Sequence, residues 1–241
     1  MSAARPLKIG IVAGEESGDL LGADIVAALK AATGREVHLV GLGGRHLQAH
    51  GLKSLFDAGD IALMGFSAVL RDLPRLFKRI GETARAIVSE KPDCLITIDN
   101  PDFTLRVARK VRASSPDIPV VHYICPSVWA WRPGRAAAMK PYVDHILCIL
   151  PFEPAELARL GGPSGTFVGH RLTGDPGVLA ALIVPNVLER ADDARVTAAR
   201  TRTNTSSTEP RASTVTIGPA SGCACCHASL ANSVNALATR A

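Results

Sequence analysis

The sequence has no apolar run approaching the roughly 18 residues that a membrane-spanning helix needs, so no span is expected in it. Aromatic residues make up only 4% of the 241, and none lies beyond Phe167. A stretch without large rings has little to bury. Residues 197–221, crowded with Thr and Ser, also lack a helical or strand period. Excess charge is scarce too: 27 Lys and Arg against 22 Asp and Glu leave a formal net charge of +5. That balance suits an anionic partner, but it is too small to choose between nucleic acid and an anionic lipid surface. Of the six cysteines, Cys94, Cys125 and Cys148 show no metal-ligand spacing and read as reduced core residues. In the run CACCH, residues Cys225, Cys226 and His227 are contiguous and lack the loop that lets paired ligands converge, so no metal is expected there. The opening MSAARPLKIGIVAGEESGD has a basic start, but its apolar run is short and ends at two glutamates, unlike a signal peptide. A cytoplasmic location is the expectation.

What the chain does have is a 47% hydrophobic composition arranged in repeating units. KIGIVAG precedes LLGADIVAALKAA, VHLVGLGG precedes RHLQAHG, DCLITID precedes FTLRVARKVRA, PVVHYIC precedes a Trp-rich segment, and HILCILPF precedes EPAELARLG. Short continuous apolar strands alternating with amphipathic helices predict an α/β fold, a Rossmann-like doubly wound parallel sheet covered on both faces. The prediction covers residues 1–171. Residues 172–241 read as a largely irregular tail.

Four segments carry candidate chemistry. In DCLITIDNPDF a buried strand delivers the chain onto Asp99 and then Asp102, either as the start of a turn or as a carboxylate at the strand end where open α/β sheets hold ligands. In the first loop, GEESGDLLGA, the glycines Gly14, Gly18 and Gly22 do not make G-x-G-x-x-G. Glu15 and Glu16 stand where a pyrophosphate would need bare backbone N–H groups. A nucleotide-dependent oxidoreductase is therefore disfavoured. Ser17 is expected to cap the following helix and Asp19 to complement its dipole, with Glu15 facing a neutral polar ligand such as sugar hydroxyls.

The segment IALMGFSAVLRDLPRLFKRI, residues 61–80, sets Phe66, Val69, Leu70, Leu73, Phe77 and Ile80 on one helical stripe, with Arg71, Arg75, Lys78 and Arg79 elsewhere. Pro74 is expected to start a new turn or kink the helix. The stripe is either ordinary core or a surface that meets an anionic membrane or an acyl chain. Finally, CPSVWAWRPGR concentrates Trp129, Trp131, Arg132 and Arg135 just after a strand end, where packing alone does not explain the arginines. An anion or lipid contact is expected there.

With AGEESGD, IALMGF, IDNPDF, HYICPSVWAWR, LPFE and FVGH in order, residues 7–172 resemble the lipid-A-disaccharide synthases of Gram-negative bacteria. The resemblance implies the N-terminal, acceptor-side domain of a two-domain glycosyltransferase B fold. It implies transfer of 2,3-diacylglucosamine from UDP-2,3-diacylglucosamine to 2,3-diacylglucosamine 1-phosphate, with no cofactor, no metal and no nucleic acid. It further implies contact with the anionic cytoplasmic face of the inner membrane through Phe66, Val69, Leu70, Leu73, Arg75, Phe77 and Lys78. Asp99 matches the family's proposed catalytic aspartate, while Glu15, Ser17, Trp129 and Arg132 become expected substrate contacts. Where the family reads G-G-P-R-M, this chain has Gly43-Gly44-Arg45-His46-Leu47. Beyond Leu172 the family's Gly-Ser-Arg loop and further strand–helix units are not seen, so a frameshift or truncation near residue 180 is expected. A catalytically inactive lipid-binding remnant is the alternative, and it suits the polypeptide as given.

Overall fold

The computed structural model describes residues 5–57, 59 and 69–171, with side chains from residue 73 onward in the last range. In chain order the elements are β1 (Leu7–Ala13), α1 (Glu16–Thr33), β2 (Val37–Leu42), α2 (Arg45–Ala49), β3 (Lys53–Ser54) and α3 (Val69–Glu90). There follow β4 (Cys94–Ile98), α4 (Pro101–Ser114), β5 (Val120–Tyr123), α5 (Gly134–Met139), β6 (His145–Cys148), α6 (Glu153–Arg159) and β7 (Ser164–Phe167). The predicted strand–helix units all form. The short strands β3 and β7 were not foreseen.

Among the described residues the seven strands make one sheet in the order β3-β2-β1-β4-β5-β6-β7, with every pairing parallel. This is the doubly wound, Rossmann-like arrangement that the alternation of apolar runs and helices predicts. All five residues of β4, CLITI, are buried, as a central parallel strand requires. Alternate residues feed two cores. Cys94, Ile96 and Ile98 join Ile9, Ile11, Ile25 and Leu29 on the α1 side, whereas Leu95 joins Val12, Ile87, Phe103 and Val107 on the side of α3 and α4. Each fully buried aliphatic side chain contributes about 1.5–3 kcal/mol, so the two faces together hold the sheet. Gly41 is obligatory in β2: at φ +136 an added Cβ would lie 2.0 Å from the Ile11 carbonyl oxygen.

Helix α3 divides the expected stripe. Ile80, Ala84 and Ile87 are in the core, but Phe77 is 50% exposed with the Arg106 guanidinium 5.4 Å from its ring centre. Leu73 is half-buried, and Arg75 and Lys78 are exposed. Pro74 lies inside the helix near its amino end. Phe66 and the side chains of Val69 and Leu70 lie outside the described residues, as does everything from residue 172 onward, including the expected tail.

Candidate functional site

The strand order reverses between β1 and β4, and the crevice outside the carboxyl ends of those two strands is the ligand position of open α/β sheets. The loop after β1 supplies Gly14 and Glu15, and the loop after β4 supplies Asp99 and Asn100. Asp99 and Asn100 have φ of +46 and +39, a left-handed pair that turns the chain sharply off the strand. Asn tolerates that region and Asp is enriched in it, while most other residues pay steric strain. Two bonds anchor the turn: the Asp99 N–H donates to the Tyr123 carbonyl at 3.0 Å, and the Thr104 hydroxyl donates to the Asp99 carbonyl at 2.6 Å. The half-buried Asp99 carboxylate takes no hydrogen bond from any described residue.

Sequence reasoning missed Asn100. It stands at the N-cap of α4 yet makes no side-chain cap; instead its Nδ2–H donates across the crevice to Glu15 Oε1 at 3.2 Å. The only hint in the sequence was an Asn before Pro101, which reads equally as a turn. Glu15 itself is exposed at the head of α1.

The first loop departs from expectation at Ser17. Helix α1 begins at Glu16, so Ser17 lies inside its first turn, exposed and making no cap. Asp19 lies in the first turn of α1, where its charge complements the helix dipole as expected, and it also reaches a second helix. Its buried carboxylate accepts from the Gly44, His46 and Leu47 N–H groups at 2.7, 2.8 and 3.2 Å, and so caps α2 from a neighbouring element. A side chain at residue 44 would put Cβ 2.9 Å from Asp19 Oδ2, which explains the glycine. Arg45, in the departure from the family's G-G-P-R-M, reaches Glu16 Oε1 at 2.5 Å. Together Gly14, Glu15, Glu16, Asp19, Gly44 and Arg45 line a cleft of about 440 Å³ beside the switch point. An acidic, water-open cleft of this kind suits hydroxyl donors and not a bare pyrophosphate.

Farther along the same carboxyl edge, the segment after β5 carries the tryptophans. Trp129 is 41% exposed and meets Phe152 edge-on at 5.2 Å. Arg132, at φ +54, lies 4.3 Å above the Trp131 ring, and Arg135 lies 5.9 Å from it while pairing with Asp102 at 3.2 Å. Asp102 thus braces α4 against α5.

A doubly wound α/β domain with an acid-lined crevice at its switch point is the class that the fold and the site define. The lipid-A-disaccharide synthetase family matches this chain over residues 9–175. The chain belongs to that family. It is similar to the lipid-A-disaccharide synthase of Nitrobacter hamburgensis, 52% identical over 71% of this chain and 43% of the relative. That of Rhodopseudomonas palustris strain HaA2 is 54% identical over 69% of this chain and 42% of the relative. The chain therefore spans less than half the length of these curated relatives. Among solved structures, the UDP-GlcNAc 2-epimerase of Neisseria meningitidis bound to UDP-GlcNAc gives a TM-score of 0.49 at 14% identity, over 77% of this chain and 54% of that one.

Proposed function

We propose that the domain is the acceptor-side half of a glycosyltransferase B type lipid-A-disaccharide synthase. In that reading it presents 2,3-diacylglucosamine 1-phosphate to the anomeric carbon of UDP-2,3-diacylglucosamine. Asp99 takes the proton from the acceptor 6-hydroxyl as that oxygen attacks, UDP leaves, and the configuration inverts. A positioned base typically contributes roughly 10²–10⁴-fold to such a step. Glu15, held by Asn100, accepts hydrogen bonds from sugar hydroxyls, with Ser17 beside it. Trp129 and Arg132 contact the substrate from the segment after β5. Arg75, Phe77 and Lys78, with Leu73, Leu70, Val69 and Phe66, lie against the acyl chains or the anionic cytoplasmic face of the inner membrane.

The observation that supports this most is the Asp99 carboxylate, without a hydrogen-bond partner among the described residues, at the carboxyl end of β4 beside the Glu15–Asn100 bridge in a chain of this family. The test is a chimera in which residues 9–171 replace the matching segment of the Nitrobacter hamburgensis relative. Disaccharide formation matched by UDP release supports the reading; a folded chimera that binds acyl-sugar but forms no product returns the domain to lipid binding alone.

A further inference from the structure

On the side of the sheet covered by α5 and α6, three ligand-bearing side chains converge. Cys125 follows β5, Cys148 ends β6, and Glu153 opens α6. Their spacing in sequence gives no sign of a site, because the parallel strands bring together residues 23 and 28 positions apart by subtraction of their numbers. In space both sulfurs and a carboxylate oxygen lie within 4.8 Å of one another, and all three residues are buried.

Packing alone leaves the carboxylate unexplained. Glu153 is 2% exposed, and no Lys, Arg or His pairs with it among the described residues. Its Oε2 accepts from the Ile149 and Leu150 N–H groups at 3.0 and 2.9 Å, which fixes its orientation without neutralising its charge. Both of those bonds go to Oε2, and Oε1 accepts none from a described residue. The backbone is also strained here: Ile124, a β-branched residue, takes φ +74 immediately before Cys125. Gly165 of β7 leaves room for the Cys148 sulfur, since a Cβ there would lie 3.0 Å from Sγ.

We propose that Cys125, Cys148 and Glu153 form a binding site for a soft divalent cation of the zinc class. An ion placed among three atoms no more than 4.8 Å apart can sit within about 2.8 Å of each, so a contraction of about 0.5 Å reaches a Zn–S bond of about 2.3 Å. Two sulfurs select a soft or borderline ion over Mg²⁺ or Ca²⁺. The charge balances: each thiol releases a proton to solvent as its sulfur bonds the metal, so the divalent charge enters as two protons leave and the buried net charge is unchanged. The bound ion would tie the segment bearing Trp129 and Trp131 to the corner between β6 and α6, where Trp129 already meets Phe152.

The test is a Cd²⁺ titration of the reduced full chain carrying Cys223→Ser, Cys225→Ser and Cys226→Ser, so that the tail thiols cannot answer for the site. The expected result is one ion per chain, with a thiolate charge-transfer band in the ultraviolet and a change in tryptophan emission. Cys125→Ser and Cys148→Ser should each abolish the band, Glu153→Gln should weaken binding about tenfold or more, and Cys94→Ser should leave it unchanged. Loss of the band on replacing the tail cysteines, or its persistence in both single variants, overturns the proposal. Should the single variants fail to fold, the melting temperature of the tail-substituted chain decides: saturating Zn²⁺ should raise it, and no rise overturns the site.

Discussion

Asn100 and Glu15, 85 positions apart in sequence, are joined side chain to side chain at 3.2 Å across the point where the strand order reverses. One comes from the loop after β4 and the other from the loop after β1, so the bond fixes the width of the crevice between them. In the chimera described above, Asn100→Ala should lower kcat/KM for sugar transfer about tenfold, the scale of one hydrogen bond to a charged group. Asn100→Asp should be worse, because it replaces a donor with a second carboxylate. Equal rates in both variants would show that the bridge does not position Glu15.

Asp19 carries the amino end of α2. Asp19→Ala would leave three N–H groups in a confined place without their acceptor and should cost about 2–3 kcal/mol in urea unfolding. Asp19→Asn should recover part of that. The exposed Asp102–Arg135 pair should behave differently, with Asp102→Asn costing under about 1 kcal/mol.

His122 should make the domain acid-sensitive. The ring is fully buried and desolvation lowers its pKa to about 3. Nδ1 is 2.9 Å from the Thr97 hydroxyl, and Nε2 has no hydrogen-bond partner among the described residues. The folded pKa is depressed below its ordinary value of 6.5, so the neutral ring's contribution is complete above that value and is lost as pH falls toward 3. Urea midpoints should fall in that window with a slope approaching about 1.4 kcal/mol per pH unit from this group. His122→Val should flatten the slope; an unchanged slope would assign the acid sensitivity elsewhere.

Phe77, Arg75 and Lys78 should mediate contact with anionic lipid. Sedimentation of the full chain with anionic vesicles should weaken in Arg75→Glu with Lys78→Glu and should fall with rising salt in the parent chain. Unchanged sedimentation of the double variant would remove the exposed end of α3 from membrane contact.

The strands and helices were legible because each is specified locally: CLITI can only be a doubly buried strand, and FTLRVARKVRA has a helical period. The position of Asp99 followed from the same logic, since a strand end in a parallel sheet faces the ligand edge. The contacts that shape the site were not legible, because they are made between elements. Ser17 looked like a local cap, but the helix already starts at Glu16, and Asp19, expected only to complement the α1 dipole, also gives its carboxylate to α2. Phe77 and Ile80 looked like one stripe, yet only Ile80 faces the sheet. Cys125, Cys148 and Glu153 carry no spacing signal at all, and only the register of β5 and β6 unites them.

The most direct test of the central claim is kcat for disaccharide formation by the chimera with Asp99→Asn, measured at saturating donor and acceptor alongside its melting temperature. The account predicts a fall of at least about 100-fold, as removal of a general base gives, with the melting temperature unchanged. A kcat within about threefold of the parent, at equal stability, would contradict the assignment of Asp99 as the base.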